Sequence, residues 1–143
     1  MGTTYAEITL KNVYDEMKAQ EGLIQKQDVR SVTVRAVADT GAMSLVINKV
    51  LQQKLGLKTV NKKFARIANG QRVACDVTEP VEISWKKRQS VLPALVVPGA
   101  RKILFGAIPL ESMDLMVNPV TQEVVGVHGE KEEILILQLQ KAG

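Results

Sequence analysis

The run Val29–Ala38 ends abruptly in Asp39-Thr40-Gly41, and that junction constrains this chain more than any other stretch. The alternating Val and Thr residues of the run favour an extended strand. Asp-Thr-Gly breaks it, because Asp and Gly are turn formers and Gly41 lets the backbone reverse sharply. An aspartate is thereby set at a strand end, on a tight turn, just before Ala42-Met43-Ser44. The tripeptide occurs once. Asp-Thr-Gly alone is also an ordinary turn sequence, so its meaning rests on what surrounds it.

The surroundings are those of one folded domain, residues 1–143, long enough to bury a core without covalent staples. Aromatic residues make up only 3%, so the core is expected to be aliphatic. The formal charge is +4, carried in part by Lys62-Lys63, Lys86-Lys87-Arg88 and Arg101-Lys102. Spread in this way, the cations read as solvated turns and strand ends, and no nucleic-acid partner is expected. Cys75 is the only cysteine. It reads as a small buried hydrophobe, and neither a disulfide nor a Cys-based metal site is expected. His128 stands alone beside Gly129-Glu130-Lys131-Glu132-Glu133, and no cofactor or metal is implied. The first residues lack the pattern of a secretory signal, and Ala6 stands where a myristoylation motif wants Ser or Thr. No apolar run reaches membrane-spanning length, so no membrane partner and a cytoplasmic location are expected.

Along the chain, Tyr5–Leu10 alternates as a strand with Ala6, Ile8 and Leu10 on one face. Residues 13–28 are a polar insertion, either an exposed connection or a short helix ended by Gly22. Val46–Leu55 has apolar residues at helical spacing before Gly56. Asn69-Gly70 between Phe64–Ala68 and Gln71–Val77 predicts a hairpin with a type I′ turn. Val81–Trp85 and Val91–Val97 predict a second hairpin around Lys86-Lys87-Arg88. Pro98-Gly99 is a turn, Ile103–Phe105 a short strand, and Pro109–Met113 a short helix. Leu115–Val117 pairs with Glu123–Val127, and about 134–139 is a last apolar strand. The tally is mainly β, with one or two short helices.

Three of these motifs, in this order, resemble the retropepsin-like aspartic proteases, the single-domain, dimeric branch. They are Val34–Ala42 around the Asp-Thr-Gly turn, the hairpin tip Ala68-Asn69-Gly70-Gln71, and Leu104-Phe105-Gly106 followed by a short helix. The resemblance covers roughly residues 29–128, with Asp39 and Gly106 separated by 67 positions. The opening Met1–Leu10 and the run Leu110–Pro119 are similar to small prokaryotic members. The resemblance implies a closed β-barrel of the acid protease fold and an endopeptidase that needs no cofactor. Peptide hydrolysis by this chemistry needs two carboxylates sharing one proton around a lytic water. One Asp39 per chain then requires a homodimer, with a peptide or protein as substrate. Asp39 would be the catalytic acid/base, with Thr40 and Gly41 as the interlocking turn. Asn69 and Gly70 would tip a flap over bound peptide. Ala42, Leu104 and Phe105 would lie near the substrate subsites, and Gly106 would close the apolar-apolar-Gly floor. Ala42 offers no hydroxyl to the outer carboxylate oxygen, an arrangement expected to favour activity at mildly acidic to neutral pH.

The chain departs from the retroviral pattern in three places. The flap tip has a single glycine, Ala107 stands where Arg is frequent, and residues 11–28 are longer than the compact pattern needs. Two other readings remain open. One is a peptide-binding or assembly module on the same fold, and the other a basic nucleic-acid-binding β-barrel.

Overall fold

The computed structural model describes residues 2–134, so the strand expected at about 134–139 lies, apart from Ile134, outside the described residues. The chain is mainly β. Its strands are β1 (Tyr5–Asn12), β2 (Ser31–Ala38), β3 (Leu45–Ile47), β4 (Thr59–Arg66), β5 (Arg72–Trp85), β6 (Arg88–Val96), β7 (Leu104–Phe105), β8 (Leu115–Asn118) and β9 (Glu123–Gly126). The first seven form one sheet in the order β1-β2-β7-β3-β6-β5-β4, and β8 and β9 form a separate antiparallel pair. β1 also pairs with β5 through Thr9–Asn12, while Tyr5–Lys11 pairs with β2. Both edges of β1 are therefore bonded along part of its length.

The alternation in β1 does what its sequence predicts, burying Ala6, Ile8 and Leu10. They join Ala36, Leu45, Ile47, Leu55, Val81, Ile83, Ala94, Val96 and Phe105 in one aliphatic cluster around a single buried ring. Full burial of a Leu, Ile or Val side chain contributes roughly 1.5–3 kcal/mol. Cys75 is buried, as a small apolar residue would be.

Three α-helices occur among the described residues, α1 (Val13–Gln20), α2 (Lys49–Leu55) and α3 (Ala107–Ser112), more than the one or two expected. The extra one, α1, lies in the polar insertion and matches the second of its two readings, a short helix ended by Gly22, although it has no apolar stripe. Its origin is capping. The Asn12 side chain accepts the Asp15 N–H, and its amide donates to Leu55 O at 2.8 Å. Asp15 then forks onto Arg30, with Nε–Oδ2 at 2.8 Å and Nη2–Oδ1 at 2.9 Å, which returns the segment to β2. The hydrogen bond from Arg30 holds the Asp15 carboxyl below its ordinary value, although burial opposes this.

The helix expected over Val46–Leu55 begins later. Val46 and Ile47 belong to β3, and Asn48 caps α2 by accepting the Leu51 N–H at 2.9 Å. Asn is a poor helix-interior residue and a good cap, so the boundary falls there. The hairpin of β4 and β5 has a different turn from the one expected. Only Gly70, at φ 83°, is left-handed, and Asn69 is not. Gly70 N–H bonds to Ile67 O at 2.9 Å and Ile67 N–H to Gln71 O at 3.0 Å, which makes a three-residue loop rather than a type I′ turn.

β5 is one strand of 14 residues, interrupted by a register shift between Val77 and Pro80. Pro80 faces Pro93 there, and the Thr78 hydroxyl accepts the Ala94 N–H at 3.0 Å in place of a ladder bond. Arg88 corrects the expectation that Lys86-Lys87-Arg88 is a solvated turn. Lys86 and Lys87 are the exposed turn, whereas Arg88 is only 6% exposed. Its guanidinium donates to the carbonyls of Met113, Asp114 and Gly129 and lies 3.6 Å from the Asp114 carboxylate.

Candidate active site

β7 is inserted between β2 and β3, and this places the Asp39 turn. β7 runs parallel to β2, with Ala38 opposite Phe105, and antiparallel to β3, with Leu45 opposite Phe105. The loop joining β2 to β3, residues 39–44, must therefore pass over the exit of β7. It is tied down by backbone bonds on both sides. Asp39 N–H donates to Phe105 O at 3.1 Å. Ala107 N–H donates to Ala42 O and Ile108 N–H to Met43 O, both at 2.8 Å. Within the turn, Gly41 N–H donates to Asp39 Oδ1 at 2.8 Å, so one carboxylate oxygen is oriented by its own loop. Upstream, Ala38 N–H bonds to Thr4 O at 2.9 Å, so the segment before β1 braces the strand that carries Asp39.

Gly106 sits at the closest approach. A Cβ there would lie 2.3 Å from Ser44 O and 2.6 Å from Ala42 O. Both are backbone atoms of the loop, so glycine is what allows the two segments to touch.

Asp39, Thr40 and Gly41 are exposed, and Ala42 and Leu104 are half-buried beside them. The Phe105 ring, in contrast, is fully buried in the core, and its carbonyl is what it presents to the Asp39 turn. Sequence reasoning passed over two apolar neighbours. Met43 and Ile108 are joined through their backbones and are 68% and 44% exposed, which gives the loop an apolar rim. Their signal was available as apolar residues directly flanking the two motifs.

Asn69 and Gly70 are exposed at the tip of the β4–β5 hairpin. Among the described residues no hydrogen bond or ion pair joins that tip to the Asp39 loop. Two surface recesses, of about 450 and 660 Å³, run along Trp85, Lys86, Glu123 and Val124. Neither is lined by the Asp39 loop or the hairpin tip.

A buried charge cluster lies elsewhere, where Asp114 is gripped by three groups. His128 Nδ1 lies 2.9 Å from Oδ2, Glu133 N–H donates to the same oxygen at 3.0 Å, and Arg88 stands behind them. Burial pushes the Asp114 carboxyl up, but the bonds from His128 and Glu133 and the charges of His128 and Arg88 prevail and hold it below its usual value. The Asp114 hydrogen bond raises the His128 pKa, against burial and the Arg88 charge, with Glu133 adding to the rise. His128 therefore has a partner, although it stands alone in the sequence. Among the described residues, no group of three His, Cys, Asp or Glu side chains is placed to hold a metal ion. No helix there is long and apolar enough to cross a membrane.

The class defined by this fold and site is a mainly β chain that presents one aspartate on an Asp-Thr-Gly turn against an apolar-apolar-Gly strand end. A sequence model of the family described as aspartyl protease matches residues 26–119, a span that takes in both halves of that arrangement. The chain belongs to the aspartyl protease family. No curated protein matches it.

Proposed function

We propose that this protein is an aspartic endopeptidase that works as a homodimer, with its lytic water held between two Asp39 carboxylates. The observation that carries the reading is the backbone anchoring of the Asp39 turn to the β7–α3 junction. That anchoring fixes an exposed carboxylate without enclosing it. One carboxylate cannot serve as base and electrophile at once. Two facing carboxylates share a proton, so one acts as general base while the other polarises the scissile carbonyl. The exposure of Asp39, Thr40 and Gly41 in one chain supports a cleft completed by a second copy.

In this reading the bonded circuit β1-β2-β7-β3-β6-β5-β1 is a closed barrel, and residues 1–143 are one domain. Thr40 links the two turns, and Gly41 keeps each turn tight. Gly106 forms the floor, while Ala42, Leu104, Met43 and Ile108 border the subsites, which favours apolar side chains flanking the cut. Phe105 supports the floor from below. Asn69 and Gly70 tip the flap, and bound peptide lies extended between flap and floor.

The test is cleavage of a mixed peptide library from pH 4 to 8 by the wild-type protein and by Asp39→Asn, with sedimentation of both. The expected result is a wild-type dimer that cleaves and an Asp39→Asn dimer that does not. Cleavage retained in Asp39→Asn refutes the assignment of the nucleophilic water to Asp39. A well-folded wild-type dimer without cleavage replaces the peptidase with a peptide-binding or assembly module.

A further inference from the structure

The positive charge of this protein has a location that its sequence disguises. Lys58, Lys62, Lys63, Arg66 and Arg72 lie within residues 58–76, where Asp76 is the only acidic residue, while Glu79 and Glu82 follow further along β5. Outside residues 58–76 fourteen basic and fourteen acidic residues cancel, so that segment carries a formal +4, reduced to +2 over the whole hairpin by Glu79 and Glu82.

β4 is the last strand of the sheet and pairs only with β5 among the described residues. Its outer edge has no strand partner along Thr59–Arg66, where every residue except Ala65 is exposed, although the Lys62 N–H donates to Asn61 Oδ1 at 2.8 Å. The cross-strand pairs Lys63–Cys75 and Ala65–Val73 face the body, because Cys75 is buried. Lys62, Phe64, Arg66 and Arg72 therefore share the outer face. The Arg72 guanidinium stacks on the Phe64 ring at 3.9 Å. Arg66 stands directly opposite Arg72, a like-charge pairing that weakens a sheet. Lysine alone blunts an edge strand against unwanted pairing. A blunted edge has no use for Val60 and Phe64, each 64% exposed on the same strand.

We propose that the β4 edge is a docking strand for an acidic, extended polypeptide segment. The segment adds beside Thr59–Arg66 by main-chain hydrogen bonds. Its outward side chains meet Lys62, Phe64 and Arg66 in turn, so the matching pattern is acidic, any, apolar, any, acidic. This pattern reads the same in either strand direction. A polypeptide fits better than a nucleic acid, because the unpaired edge offers backbone donors and acceptors. The single ring here is already covered by Arg72, which leaves no platform for successive bases. As a statement about substrates the proposal rests on the peptidase reading, in which docked acidic segments recruit the protein to be cut. As a statement about binding it stands apart from catalysis.

The experiment uses the Asp39→Asn protein, which cannot consume the probe, and a fluorescent peptide with two Glu flanking a Leu at alternate positions. Anisotropy is expected to show binding that weakens steeply between about 50 and about 300 mM salt. Loss of the Lys62 and Arg66 charges together, as Lys62→Gln with Arg66→Gln, is expected to weaken binding about tenfold or more. Of two N-methylated versions, one on each set of alternate amides, the one methylated on the set facing β4 is expected not to bind and the other to bind. Equal binding of both methylated peptides and the unmodified one, or no effect of the double substitution, overturns the docking strand. Tighter binding of single-stranded oligothymidine than of the acidic peptide at the same salt overturns it in favour of nucleic acid. Library cleavage by the wild-type protein reports on the peptidase reading separately, so either can fail alone.

Discussion

Replacing Gly106 by alanine probes how tightly the Asp39 loop is held. Gly106 has φ −84°, an ordinary value for alanine, so the effect comes from contact and not from backbone strain. The new Cβ would stand 2.3 Å from Ser44 O, 2.6 Å from Ala42 O and 2.8 Å from the Met43 carbonyl carbon. No flexible side chain is among them to swing away. The loop must retreat by about 0.7 Å merely to bring the nearest of these contacts to 3.0 Å. That retreat stretches the 2.8 Å bonds from Ala107 N–H to Ala42 O and from Ile108 N–H to Met43 O. Overpacking costs about 1–3 kcal/mol and each weakened bond about 0.5–1.5 kcal/mol. Together they give roughly 2–6 kcal/mol, or a fall in Tm of roughly 5–20 °C for a chain near this size. Urea unfolding at unchanged m-value measures the loss. Gly70→Ala is the contrasting control. Its Cβ meets nothing within 4 Å but its φ is 83°, so only a cost of about 1 kcal/mol from left-handed backbone is expected. A Gly106→Ala protein within about 0.5 kcal/mol of wild type refutes the close approach of loop and floor.

Two further outcomes concern the charge cluster. Arg88→Met removes the donor to three carbonyls and the charge behind Asp114, and is expected to destabilise by about 3 kcal/mol or more in urea. A neutral result places Arg88 outside the core. The His128 pKa is raised in the folded protein, so its pairing with Asp114 stabilises fully below the unfolded value near 6.5 and fades as pH rises through the folded value. The gap in urea midpoint between wild type and His128→Gln is therefore expected to shrink from pH 6 to pH 9. A gap that is constant or widens refutes the pairing.

Local pattern carried the strands well. β1, β2, both hairpins and the β8–β9 pair follow from alternation and turn residues, because a half-buried strand writes its two faces into every second position. Capping was harder to read. Asn48 looked like a flaw within a helix because periodicity cannot tell the last residues of β3 from the first turn of α2. α1 has no apolar stripe, and it depends on Asn12 and on an ion pair to Arg30 that only the folded chain brings together. Arg88 was misjudged for a similar reason. Beside two lysines it reads as solvent-facing, and its acceptors lie 25 to 41 residues further on. The residues around Asp39 were legible as separate motifs, but their meeting depends on β7 slipping between β2 and β3. Phe105 shows the limit of motif reading, since a subsite label says nothing about which way the ring points.

The insertion of β7 also bears on the order of events during synthesis. A ribosome releases β2, the Asp39 loop and β3 long before Leu104 emerges. Until then the two strands lack the ladder that separates them, Asp39 N–H has no Phe105 carbonyl to find, and the carbonyls of Ala42 and Met43 have no donors. Pairings this distant in sequence close late, because loop entropy must be overcome first. The Asp39 turn is thus among the last parts of the sheet to become rigid. Its ordering marks the completion of the fold, and a chain truncated before β7 would carry the Asp-Thr-Gly sequence without the geometry.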